Sequence, residues 1–352
     1  MATLTEHPTT RFAVPDGRFA PAPAEHRGVA RDRVRLLVAR PGSVVHGHFG
    51  DLPHHLSSGD VVVVNDSQTV AAEWDARSDV RGAVVLHAAT PLDDGTWVVE
   101  LRTAPDAARA VLDARPGERL TSGELETVLL SPYPEDGSSP TGSGTRLWRA
   151  SVVGDLPAHL RRNGRPIAYG YLDRRYPLED YQTVFGTRPG SAEMPSAGRP
   201  FTRTLLTALG RRGVTVATIT LHTGVSSQEA GEAPLAERFE VTEPTARHVN
   251  AVRAAGGRVV AVGTTVTRAL ESAVGDHGRL VARSGWTDRV VTPADPPRVV
   301  TGLVTGWHDP QASHLLLVEA VAGASLTQRA YDAAAGGGYL WHEFGDSALL
   351  LP

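Results

Sequence analysis

Residues 256–272 read GGRVVAVGTTVTRALES, and no other stretch constrains the fold as tightly. Two glycines end whatever precedes, and an apolar run at 259–262 follows. Gly263, Thr264 and Thr265 then turn the chain into a helical pattern with Leu270 on its apolar face. A strand, a tight glycine turn and a helix start, in that order, place unpaired backbone N–H groups at the strand's carboxyl end. Such a spot suits a carboxylate or phosphate. Arg268, one turn in, adds the prospect of a bidentate anion contact. The same letters also fit a plain buried βα unit in which Thr265 is an ordinary N-cap.

The flanking text supplies a sheet for this unit. RDRVRLLV (31–38) leads into a first strand, and the FGDLP that begins at Phe49 sets up a short helix. The four-valine run at 61–64 reads as a buried strand, closed by the polar turn Asn65-Asp66-Ser67 where open α/β sheets keep their ligands. Residues 214–221 alternate apolar residues with Thr, a strand that delivers His222 at its carboxyl end. An amphipathic helix at 245–255 is stopped by Gly256 and Gly257. The tail predicts a strand near 299–304, an apolar run at 315–321 and a helix near 326–335. Between 73 and 153 the pattern changes to short alternating runs (83–87, 97–101, 124–130, 146–153) cut by Gly, Pro and Asp turns. The expected class is therefore α/β: a larger α/β domain over 1–72 and 154–352, carrying an inserted small antiparallel β domain over 73–153. Residues 131–145 read as a hairpin tip.

Two absences narrow the chemistry. The 352 residues contain no Cys, and all 35 basic residues are Arg. That removes thiolate metal sites, cysteine-held clusters, Schiff bases and the Walker phosphate loop. His46, His48, His54 and His55 have no second motif beside them, so no metal site is expected. The net charge of −4 argues against a generally polyanion-binding surface. One local patch, 159–176, interleaves five arginines with Tyr169, Tyr171 and Tyr176, and reads either as an RNA contact or as a solvated loop. No apolar run approaches the roughly 20 residues of a membrane span, and no signal pattern opens the chain, so a cytoplasmic protein is expected.

Taken together and in order, RDRVRLLV, FGDLPHHLSSGDVVVVNDS (49–67), DYQTVF (180–185), the PG–PSAG–FT block (189–202), TLH (220–222), the 256–272 stretch and the Gly345-Asp346 pair resemble the S-adenosylmethionine:tRNA ribosyltransferase-isomerase family, the queuosine-pathway enzymes called QueA. The resemblance spans about Arg31 to Leu350. It implies transfer of the ribosyl group of S-adenosyl-L-methionine, a co-substrate, to 7-aminomethyl-7-deazaguanine in tRNA, releasing adenine and methionine without a metal. The sulfonium acidifies the neighbouring C5′ hydrogen, so a base, an oriented acceptor and anchors for the substrate suffice.

On that footing Gly263, Thr264, Thr265 and Arg268 are expected to hold the methionyl carboxylate. His222 is the candidate base or acceptor-orienting group, or a structural histidine. Glu271 is a second catalytic candidate, or simply a helix partner of Arg268, and Asp346 is a third. Asn65 and Asp66 would bind ribose hydroxyls or only close a turn. Ser196, Ala197 and Gly198 would let a flat base approach the backbone, with Tyr181 or Phe201 stacking on it. Gln182 and His308 complete the substrate-binding set.

The chain also departs from the family's pattern. Ser67-Gln68 stands in place of Thr-Arg, Ala71-Ala72-Glu73 in place of Pro-Ala-Arg, and Arg199-Pro200-Phe201-Thr202 in place of Leu-His-Phe-Thr. Pro234-Leu235-Ala236-Glu237 replaces Met-His-x-Glu. An arginine-to-glutamate exchange at a phosphate contact turns attraction into repulsion and weakens tRNA as partner. A small-molecule acceptor on the same frame, and a non-catalytic RNA- or nucleoside-binding homologue, therefore stay open.

Overall fold

The computed structural model describes residues 4, 6–14, 17–134, 144–226, 232–310 and 312–352. The centre of the expected 131–145 tip lies outside the described residues. Nine strands form one sheet in the order Arg283–Thr287, Glu237–Val241, Thr215–His222, Val61–Asn65, Val259–Val262, Gly302–Gly306, Ser347–Leu350, Arg35–Arg40, Ser43–His48. The four central strands, from Thr215–His222 to Gly302–Gly306, run parallel. Asn65, His222, Val262 and Gly306 therefore end at one edge.

The valine run explains why this strand is central. Val61 and Val63 face one core with Leu270 and Trp307, while Val62 and Val64 face a second core with Phe49, Phe201 and Leu205. A strand covered on both faces needs no polar alternation. The apolar run at 315–321 is the helix His314–Ala322, buried on most sides rather than forming another strand. Helix Thr264–Ser272 starts two residues earlier than a Thr265 cap allows, and its N-cap is Gly263 at φ 92°, ψ 162°.

The short runs expected after residue 73 close into a six-stranded antiparallel barrel, ordered Leu147–Val153, Trp97–Thr103, Gly82–Pro91, Glu73–Ser78, Arg119–Ser122, Leu125–Pro132. Closure leaves no edge for another chain to pair with. Trp74, Leu86, Leu101 and Trp148 fill the barrel. Among the described residues no helix is long and apolar enough to cross a membrane.

Candidate active site

A cavity of about 870 Å³ opens at the carboxyl edge of the parallel strands. Its floor comes from the turns that follow three of them: 223–226, 263–265 and 305–309. His87 and Arg102 of the barrel, residues 168–172, Glu193 and Glu343 also line it. This is the crevice in which open α/β sheets bind ligands.

The glycine turn behaves only partly as read from the sequence. Gly263 N–H is spent on Val304 O at 2.7 Å. The N–H groups of Thr264 and Thr265, the first two of the helix, have no acceptor among the described residues, and both threonines line the cavity. Two amide hydrogens and the helix dipole thus face open space. Arg268 lines the cavity too but is not a free anion clamp. Its guanidinium contacts Glu237, and donates to Leu235 O at 2.8 Å, Arg289 O at 3.1 Å and Thr287 O at 3.2 Å.

Several other candidates hold the frame rather than face the cavity. Glu271 does not pair with Arg268; it accepts the backbone N–H groups of Arg298, Val299 and Val300 at 2.8, 2.9 and 3.0 Å. This explains why the strand expected near 299 begins only at Gly302. Glu271→Gln turns an amide donor toward these donors and should cost about 1–3 kcal/mol. Urea denaturation should register that loss.

His222 lies behind the floor, with Nδ1 2.7 Å from Ser67 Oγ, which is itself 2.6 Å from Ser191 Oγ. Asn65 bridges strands through Leu221 N and O, and Asp66 accepts from Thr220 Oγ1 at 2.6 Å. Asp346 accepts from Arg35 N and Leu340 N, both at 2.8 Å. Phe201 is fully buried between Phe49 and Phe185, so it stacks on core rings and on no ligand. Tyr181 is buried edge-on against Phe344, Gln182 donates to Thr69 O at 3.0 Å, and Gly198 is backed by Phe185 and Thr183. Ser196, Ala197 and His308 do line the cavity.

The sequence did not single out the groups that give the cavity its character. Glu193, Glu237 and Glu343 all face it, as do His314 and His342. They come from separate segments, and only Glu237 lies in a block the sequence had marked, as the glutamate of Pro234-Leu235-Ala236-Glu237. Burial pushes the Glu343 carboxyl up to about 8, with the nearby Glu193 charge adding to the effect. Burial also raises Glu193 against the hydrogen bonds from Ser226 and Tyr169, and raises Glu237 against Arg268. His308 and His314 stack at 5.0 Å with an 8° interplanar angle. Burial drives His314 down to about 4 and His308 well below its usual range.

These shifts predict stability losses on both sides of neutrality. Glu343 holds its proton more tightly folded than at its ordinary 4.5, so its contribution is full below 4.5 and is lost as pH rises through 8. His314 binds its proton less tightly folded than at 6.5, so its contribution is lost as pH falls from 6.5 through 4. Melting temperature followed against pH should decline at both ends. Glu343→Gln should reduce the alkaline decline, and His314→Leu the acid one.

Glu73, where the family pattern has arginine, is no phosphate contact. It is fully buried, with Arg165 Nε at 2.6 Å, Arg175 Nη1 at 2.7 Å and His87 Nε2 at 3.0 Å. His87 Nδ1 lies 3.4 Å from Glu100, which Arg102 meets at 2.6 Å. The acidic residue is answered internally by two arginines of the 159–176 patch, so the expected repulsion toward a phosphate does not arise there. Of that patch, Tyr169, Tyr171, Arg174 and Arg175 line the cavity. Among the described residues no group of three or more metal-ligating side chains converges.

A family model described as "Queuosine biosynthesis protein" matches residues 9–350. The chain is 37% identical to the S-adenosylmethionine:tRNA ribosyltransferase-isomerase of Acidiphilium cryptum, covering 96% of this chain and 97% of that one. It is 36% identical to the enzyme of the same name from Thermus thermophilus, covering 96% and 98%. Among solved structures, the S-adenosylmethionine tRNA ribosyltransferase of Thermotoga maritima superposes with a TM-score of 0.53 at 26% identity, covering 97% of this chain and 99% of that one.

Proposed function

The chain belongs to the queuosine biosynthesis protein family, and from that premise we propose that it transfers and isomerises the ribosyl group of S-adenosylmethionine onto 7-aminomethyl-7-deazaguanine in tRNA, releasing adenine and methionine. The observation that carries the reading is the cavity itself. Unspent amides of Thr264 and Thr265 and raised, buried carboxyl groups line it together.

S-adenosylmethionine joins a carboxylate, an ammonium and a sulfonium in one molecule, so it needs both kinds of surface. The two amides take the methionyl carboxylate, as a helix N-terminus takes an anion. The raised carboxyl groups, set among the rings of Tyr169 and Tyr171, favour positive charge because an arriving cation draws them into their charged form and meets the ring faces. Proton removal from C5′ needs a base that is uncharged or negative at neutral pH. His308 and His314, both held neutral by burial, meet that requirement inside the cavity, whereas His222 stands outside it. No metal enters this scheme.

The test is chromatographic. Incubation with S-adenosylmethionine and an anticodon stem–loop carrying 7-aminomethyl-7-deazaguanine should release adenine, and omission of the RNA should abolish release. Release without RNA would point to another acceptor, and binding without turnover to a non-catalytic homologue.

A further inference from the structure

Glu193 and Glu343 line the same cavity, and the Glu193 charge helps to raise the proton affinity of Glu343, yet their surroundings differ. Glu193 is filled: the hydroxyls of Tyr169 and Ser226 donate to it, and Ser226 N–H does so at 2.9 Å. Glu343 is only partly filled: the Tyr171 hydroxyl bonds to it, while its Oε1 is buried without a hydrogen-bond partner. The neighbouring cation, Arg199, donates through Nε to Asp180 O at 2.8 Å, and its Nη2 faces Glu25 as an ion pair at 2.9 Å without a hydrogen bond. Burial keeps Glu343 protonated while the cavity holds no cation; an arriving cation favours its charged form, whose oxygens only accept, and a ligand N–H then fills the oxygen that has no partner.

The rings beside it point to the same kind of group. Tyr171 stacks on His342 at 4.6 Å and 24°, and on Tyr169 at 6.0 Å and 15°. Both tyrosines line the cavity together with Glu343. Aromatic faces next to a carboxylate favour a compact cation. A sulfonium has charge but no N–H to give Oε1; a primary ammonium has both.

We propose that Glu343, with Glu193 beside it, seats a primary ammonium group of the substrates. This rests on the function proposed above, which offers two such groups: the α-ammonium of S-adenosylmethionine and the aminomethyl group of the acceptor base. Glu343 accepts from the ammonium through Oε1, and Glu193 adds charge without giving up its own donors. The seat makes the cavity select for the amine rather than for the ring that bears it.

Calorimetry on the intact protein separates the two sources. In one arm, S-adenosylmethionine is compared with its analogue lacking the α-amino group. In the other, stem–loops carrying 7-aminomethyl- and 7-cyano-7-deazaguanine are compared. Wild-type protein should prefer the amine in one arm by about 10–100-fold, the range of a hydrogen bond to a charged group. Glu343→Gln should abolish most of that preference in the same arm, and Glu343→Asp should restore part of it. If Glu343→Gln fails to fold, Glu193→Gln serves, since it removes the second charge and should shrink the same ratio. The proposal is overturned if wild type shows no preference in either arm, or if the preference survives the substitutions. Failure of the functional reading looks different: amine preference would persist while adenine release with the RNA is absent.

Discussion

Replacing Arg268 by alanine should destabilise the protein by about 3–5 kcal/mol, the cost of removing one member of a buried ion pair. The residue is 5% exposed and ties together segments far apart in sequence. It meets Glu237 at the start of one strand, Thr287 O at the end of another, and the carbonyls of Leu235 and Arg289. Alanine strands all four acceptors at once. Glu237, which burial already pushes upward, would escape part of the penalty by taking a proton. The loss should therefore grow with rising pH, because the unfolded chain releases that proton more readily than the folded variant. Arg268→Lys should recover little, since one ammonium cannot reproduce a planar fork that spans these partners. Adding Glu237→Gln to Arg268→Ala should give back about 1–3 kcal/mol by removing the stranded charge. Urea denaturation at two pH values reads all of this. A pH-independent loss below about 1 kcal/mol, the range of exposed pairs, would mean that Arg268 is an ordinary surface cation.

Arg268 also shows where sequence reading stops. The strand, glycine turn and helix around it were legible because hydrophobic period and glycine position are local signals. The valine run at 61–64 and the alternation in 214–221 fixed the parallel centre of the sheet for the same reason. Strands Ser43–His48, Glu237–Val241 and Arg283–Thr287 escaped because they lie toward the sheet's edges, where polar and charged residues interrupt alternation. Side-chain roles were less legible still. A strand's carboxyl end can be placed from sequence, but not which of its last residues turns into the crevice. His222, Asn65 and Asp66 all sit at the right edge, yet they bond to neighbouring strands and turns. Glu193 and Glu343 gave no signal because they meet only after the chain has closed over the cavity from two distant loops. Glu73 looked like a lost phosphate contact because its partners, Arg165 and Arg175, lie in a distant segment of the chain.

Gly263→Ala tests the turn on which the substrate reading depends. At φ 92° and ψ 162° the residue occupies a region essentially confined to glycine, where a side chain costs of order 1–3 kcal/mol. Space is short as well: an added Cβ would lie 3.3 Å from the Ala197 Cβ and 3.6 Å from Thr265 Oγ1. The chain can relieve this only by rotating the peptides on either side. Rotation pulls Gly263 N–H off Val304 O and re-aims the amides of Thr264 and Thr265. A displacement near 1 Å in a positioned group costs about 10²-fold. The variant should therefore bind S-adenosylmethionine about 10–100-fold more weakly, measured by calorimetry at a temperature where circular dichroism shows it folded. Adding Ala197→Gly removes the contact but leaves the dihedral strain, so the double variant should recover little affinity. Full recovery would assign the loss to crowding at Ala197, and an unchanged Kd in the single variant would leave the helix start a structural turn with no ligand to hold.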